Sequence, residues 1–198
     1  MSRINDLGEI LEWYEGREYV PEKTNWQYKN LYLIIDSSSF ISSEMFDLIK
    51  EGGRRVINYL PDDGRCAILN FSDECKYSGW APKDHALKEG KPVLETLDTY
   101  LGGGSNLDTN SLFDLRDAQY YLEGGLAVLL VTGERVDSFQ GVPELFKELE
   151  EKGYCTGLVD IHGINEESKG FEAICIPKIL TKIADCMENF ADYAFTQK

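Results

Sequence analysis

The sequence predicts an α/β fold: a Rossmann-like three-layer sandwich with a mostly parallel central sheet and helices on both faces. Residues 31–35 (LYLII) and 126–131 (LAVLLV) are continuous apolar runs, the pattern of strands covered on both sides. Segments with apolar residues three and four apart stand between the strand-like runs. The two kinds alternate along the chain, as they do where crossover helices join parallel strands. A sheet of about six strands with one short antiparallel edge is expected.

The first strand, 31–35, delivers Asp36 and then Ser37, Ser38, Ser39 and Phe40. Next, SSEMFDLIKEGGRRVINYL places Met45, Leu48, Ile49, Gly52, Val56 and Leu60 on one helical face. Ser42 or Ser43 caps this helix, and its two glycines weaken it. PDDG at 61–64 is a turn, RCAILNF at 65–71 a second strand, and KYSGW contains a short third one. From His85 to Leu101 the pattern predicts a helix interrupted at Pro92 and stopped by the glycines at 102–104.

A further helix is expected over roughly 107–122, followed by the buried strand 126–131. VPELFKELEEKG repeats the amphipathic pattern at Val142, Leu145, Phe146 and Leu149 and stops at Gly153. CTGLVDI is another strand. In the terminal helix Leu180, Ile183, Ala184, Met187, Phe190, Ala191 and Ala194 share a face. Residues 1–30 fall outside the alternation and read as an N-terminal extension to a domain spanning 31–198. That extension, with Trp26 and Tyr28, either packs on the body or serves as a partner-binding arm.

At 198 residues, 42% of them hydrophobic and 12% aromatic, the chain is long enough to bury one substantial core. Its net charge of −15, from 35 acidic and 20 basic residues, repels phosphate backbones and argues against nucleic acid as a partner. No apolar run reaches bilayer length and the N-terminus is too acidic for a secretory signal, so a cytoplasmic setting without membrane contact is expected. The five cysteines lack a Cys-x-x-Cys pair and read as reduced thiols, with Cys66 and Cys155 inside apolar strand runs.

In open parallel sheets ligands bind beyond the carboxyl ends of the strands. Three segments compete for that edge: DSSSF at 36–40, GGGSNLDT at 102–109 and TGE at 132–134. Their order, from Leu31 to about Tyr193, resembles the von Willebrand factor type A (vWA) domain. The supporting AILNFSD also resembles that family's second strand.

The resemblance implies a metal-ion-dependent adhesion site, in which Asp-x-Ser-x-Ser, a Thr after a glycine pair and an Asp after the fourth strand hold magnesium or manganese. Here Asp36 and Ser38 match, Ser105 replaces the Thr and keeps a hydroxyl, Phe40 replaces the second Ser, and Thr132 replaces the Asp. The metal-ligand set reduces to Asp36, Ser38 and Ser105, with one certain negative charge. No cofactor is therefore expected, and magnesium or manganese is the candidate if an ion binds. Ser37, Ser39, Ser42, Asp108 and Glu134 lie near the same loops but outside the family spacing.

The resemblance further implies a non-enzymatic protein-interaction or scaffold module using a face of Asp36, Ser38, Phe40, Ser105 and Thr132. Domains of this family join assemblies with an ATPase or kinase, and their partners supply an acidic residue to the bound ion. An alternative resemblance is to haloacid dehalogenase-type phosphohydrolases, with Asp36 as nucleophile and Thr132 as a phosphate-binding hydroxyl. That chemistry needs a general acid two residues later, where Ser38 stands, and distal metal-binding acids, of which only Asp160 is present. GGGSN lacks the Gly-Lys-Ser/Thr ending of a phosphate loop. His85 and His162 belong to no catalytic pattern.

Overall fold

A computed structural model describes residues 2–4, 28–118, 122–165 and 171–196. The strands are β1 (Ser2–Ile4), β2 (Tyr28–Asp36), β3 (Arg65–Phe71), β4 (Cys75–Tyr77), β5 (Ala81–Pro82), β6 (Gly125–Thr132), β7 (Cys155–Asp160) and β8 (Ala173–Cys175). The helices are α1 (Ser43–Tyr59), α2 (Lys83–Ala86), α3 (Pro92–Leu97), α4 (Phe113–Asp117), α5 (Val142–Glu151) and α6 (Ile183–Thr196).

The strands form one eight-stranded sheet in the order β1-β8-β7-β6-β2-β3-β4, with β5 also pairing β3. All pairings are parallel except those of β4 and β5 with β3. The additional strands β1, β5 and β8 are short, and two or three residues carry no periodicity to read. The sheet takes in both ends of the segment read as an extension, since Ser2 pairs Ala173 and β2 begins at Tyr28. Most of that segment, Trp26 included, lies outside the described residues.

The double cover follows from alternation along β2. Leu31, Leu33 and Ile35 join a cluster with Phe46, Ile49 and Val56 of α1 and Met187 and Phe190 of α6. Tyr32 and Ile34 point to the other face, into a cluster with Leu107, Leu115 and Val142, Leu145, Phe146 and Leu149 of α5. Every residue from Leu31 to Ile35 is fully buried, so the apolar run has water on neither side.

α1 starts where expected: Ser42 caps it, its hydroxyl accepting from the Met45 N–H at 3.2 Å. Its glycines have a packing reason beyond the propensity cost read from sequence. A Cβ at Gly52 would meet Met187 Sδ at 2.5 Å and Ala184 Cα at 3.1 Å, so α6 lies against this point of α1.

Four sequence expectations change. The helix expected from His85 to Leu101 is two short ones, with Pro92 opening α3 rather than kinking a longer helix. It also stops at Leu97, before the glycines, where the Thr96 carbonyl accepts from Asn70 Nδ2 at 3.0 Å. The helix expected over 107–122 shortens to α4, because Asp108 Oδ1 accepts from both the N–H (2.9 Å) and the hydroxyl (3.0 Å) of Ser111 and holds a turn there.

Leu180 lies outside the buried face of the last helix, in a 3₁₀ turn before α6, and is 37% exposed. Finally, the cysteines are not all reduced: Cys175, at the end of β8, is bonded to Cys186 in α6, eleven residues on. Cys66 and Cys155 are the buried free thiols expected, and burial pushes the Cys66 thiol up to about 12. Cys75 is free and exposed. Among the described residues no helix is long and apolar enough to cross a membrane.

Candidate functional site

The parallel register aligns the carboxyl ends of the central strands. Asp36 pairs with Phe71, Ile35 with Val131, and Thr132 with Asp160. DSSSF, the glycine loop and TGE therefore converge on one edge, as the sequence predicts for a switch-point site.

Asp36 sits at its centre with no solvent exposure. Oδ1 accepts from the Ser38 N–H at 2.9 Å. Oδ2 accepts from the Thr132 hydroxyl at 2.8 Å, the Ser105 hydroxyl at 3.2 Å and the Gly133 N–H at 3.4 Å. Four of the five residues predicted from sequence are thus in one hydrogen-bonded group: Asp36, Ser38, Ser105 and Thr132. Thr132 Oγ1 also accepts from the Glu134 N–H at 3.0 Å, which fixes its hydroxyl proton on Asp36.

Phe40 departs from this cluster. It is 53% exposed, so its ring neither enters the core nor covers Asp36 as a ligand would. The Ser38 hydroxyl oxygen is buried and has no hydrogen-bond partner among the described residues.

The supporting residues are mostly ones that sequence spacing does not reveal. Asn70, inside β3, bonds the Ser37 hydroxyl and the carbonyl of Thr96, joining β2, β3 and α3 beneath the site. Tyr100 donates its hydroxyl to the carbonyls of Ile41 (2.8 Å) and Ser38 (3.2 Å), clamping the DSSSF loop from the far side of the chain. Asp73 accepts from the Gly104 N–H at 2.7 Å, and a Cβ at Gly104 would stand 2.5 Å from its Oδ1. That approach and a φ of +82° at Gly103 explain the glycine run. The sequence signals for these were present only as an unpaired acid after FS and an aromatic before the glycines.

The nearby oxygens outside the family spacing are mostly engaged elsewhere. Ser37 bonds Asn70, Ser39 donates to the Gly103 carbonyl at 2.7 Å, Ser42 caps α1, and Asp108 holds Ser111. Asp160 is buried and turned to its own loop, accepting from the N–H groups of Gly163 (3.0 Å) and Asn165 (2.6 Å). His162 follows it, is exposed, and packs so closely that a Cβ at Gly133 would lie 2.9 Å from its Cδ2 and 3.0 Å from Ile41 Cδ1. His85 is far along the chain, on α2 beside Asp84 at 3.5 Å.

A hard divalent ion needs oxygens whose lone pairs face it. The cluster offers one carboxylate already accepting four hydrogen bonds, two of them from the hydroxyls of Ser105 and Thr132. Among the described residues Ser38 Oγ is buried without a partner, and no group of three or more acidic, histidine or cysteine side chains is placed for a metal. On this donor set the fit to a divalent ion is poor.

No family model matches the sequence, and no curated protein matches it. Solved structures do. A von Willebrand factor type A protein from Catenulispora acidiphila superposes with a TM-score of 0.67 at 9% identity, covering 87% of this chain and 44% of that one. The vWF domain of the type V pili tip protein Mfa5 from Porphyromonas gingivalis gives 0.66 at 8% identity, covering 86% and 96%. The fold is that of a von Willebrand factor type A domain.

Proximal thread matrix protein 1 from the mussel byssus, solved with a zinc-occupied MIDAS motif, shares the vWA fold with a TM-score of 0.62 at 16% identity. The match covers 85% of this chain and 46% of the mussel protein, so the chain spans less than half of that relative's length. The Asp36 cluster lies where the vWA resemblance places the metal motif, at the carboxyl edge of the central strands. The parallel order of the strands and the cover on both faces agree with the α/β sandwich expected from sequence.

Proposed function

We propose that the chain is a non-enzymatic protein-interaction module of the vWA type whose top face works without a divalent ion. The observation that carries this is the saturation of Asp36: hydroxyls and backbone N–H groups occupy its oxygens where the family's ion would polarise water and ligands. Thr132 makes this closure possible, because a second aspartate there would repel Asp36 unless a cation lay between them. Phe40 then supplies an exposed aromatic in the place of an oxygen ligand, and aromatics are favoured anchors of protein interfaces.

Against phosphoryl transfer, Asp36 is held on both oxygens, Ser38 supplies no general acid, and Asp160 is committed to its own loop. The setting suggested by the resemblance is a multiprotein assembly, with an ATPase or kinase as a candidate member. Calorimetric titration of the chain with magnesium, manganese and zinc salts tests the ion-free reading. No saturable heat is expected up to about 1 mM of each ion, a concentration at which a site with micromolar affinity is filled. Stoichiometric binding abolished by Asp36→Asn would refute it.

A further inference from the structure

Five large apolar side chains are exposed among the described residues: Phe40, Tyr100, Ile164, Ile179 and Leu180. All lie at the carboxyl edge of the sheet or in the segment leaving it. Phe40 follows β2, Ile164 follows β7, and Ile179 and Leu180 follow β8. Tyr100 is bonded to the Ser38 and Ile41 carbonyls of the DSSSF loop. His162 and Ile41 both lie against Gly133, where a Cβ would stand 2.9 Å from His162 Cδ2 and 3.0 Å from Ile41 Cδ1.

Acidic residues outnumber basic ones in the loops beside this patch. Asp73 and Glu74 stand in the turn after β3, Asp108 beyond the glycine loop, and Glu134 and Asp137 after β6. Asp108 and Asp137 are held below the usual carboxylate range, by the Ser111 N–H and by the Arg135 guanidinium respectively, and so remain charged. Arg135 and Asp137 pair with each other through bonds of 3.0 and 2.6 Å, so together they add no net charge. Lys76, in the middle of β4, directs its ammonium to Thr99 Oγ1 at 2.8 Å, toward α3, and has no ion-pair partner among the described residues. Lys178 and Lys182 flank Ile179 and Leu180, so the acidic sector is the one around Phe40, Tyr100, His162 and Ile164.

We propose that this sector binds a protein segment presenting an apolar or aromatic side chain flanked by lysine or arginine. This deepens the interaction reading above and rests on it. A metal-bearing vWA face draws an acidic residue to its cation; here the rim is acidic and the whole chain carries −15. Complementary potentials then select a basic partner, with the exposed aromatics providing the desolvated centre and a cation–π face.

Selection of a displayed library of random 12-residue peptides on the immobilised full chain, in chelator, tests this. Enriched peptides are expected to combine an apolar or aromatic residue with Lys or Arg. Their affinity falls roughly tenfold in Phe40→Ala, a hot-spot loss. It falls several-fold in the double variant Glu74→Gln/Glu134→Gln and on raising ionic strength to about 0.5 M.

Neutral apolar peptides that still depend on Phe40 would overturn the charge assignment and leave the interaction reading standing. Acidic peptides enriched only in a parallel selection with magnesium or manganese would overturn both. Basic peptides indifferent to Phe40→Ala and to the double variant, or no enrichment over uncoated support, would overturn the assignment of this face. The three substituted side chains are at least partly exposed, so circular dichroism should report an intact fold in each variant.

Discussion

At the scale of single residues, the site rests on how one carboxylate is satisfied. Asp36 is fully buried and accepts four hydrogen bonds, so Asp36→Ala strands two hydroxyls and two backbone N–H groups. Each unsatisfied buried group costs about 1–3 kcal/mol, and partial rearrangement of the hydroxyls brings the expected loss to about 2–4 kcal/mol. Ser38 is the opposite case, since its hydroxyl is buried with no partner among the described residues. Ser38→Ala should be neutral or stabilising by up to about 1 kcal/mol, because it removes a desolvated group that bonds nothing. Urea denaturation of both variants checks the pair, and a marked destabilisation by Ser38→Ala would mean that the hydroxyl has a ligand.

The residues of this cluster were legible in the sequence because four of them stand in a spacing that a known family shares. Tyr100 and Asn70 were not legible, because they bond backbone carbonyls and a serine hydroxyl brought together only by the fold. Phe40 was visible as a departure from the motif. Whether its ring turned inward or outward depended on the loop, and the structure turns it outward.

At the scale of elements, sequence reading succeeded where one face of an element decides its structure. The β2 and β6 runs and the α5 stripe are such cases, since burial on known sides leaves no competing arrangement. It failed where a local polar bond competes with the helix, as Asp108 does by holding Ser111. The glycines of α1 illustrate a related gap. By propensity alone Gly52→Ala would stabilise α1 by about 1 kcal/mol. Against α6 the added methyl meets Met187 and Ala184, so a net loss of about 1–2 kcal/mol is expected instead, read from the shift in urea midpoint.

The bond from Cys175 to Cys186 ties the short strand β8 to α6 across an eleven-residue separation. Closing a loop of that size removes denatured-state freedom worth about 2–3 kcal/mol in the chain-entropy picture. Cys186→Ser should therefore lower stability by about that amount under non-reducing conditions. In the parent chain, adding a thiol reductant should produce a similar shift, and equal stability with and without reductant would show that the bond does not form in solution.

At the scale of the whole molecule, a vWA fold carries a chain of net charge −15, and the proposed function has hydrogen bonds in place of an ion at Asp36. The parallel register brings three loops to one edge, where Thr132 and Phe40 stand at positions that the vWA resemblance gives to ion ligands. Thr132 donates its hydroxyl to Asp36, and Phe40 stands exposed on the rim. Thermal melting of the parent chain beside Phe40→Ser/Thr132→Asp, in magnesium or manganese and then in chelator, tests this most directly. The melting temperature of the parent chain is expected to stay within about 1 °C in the ions, and that of the variant with the family ligands restored to rise by several degrees and fall back in chelator. A reversible rise of several degrees in the parent chain itself would contradict it.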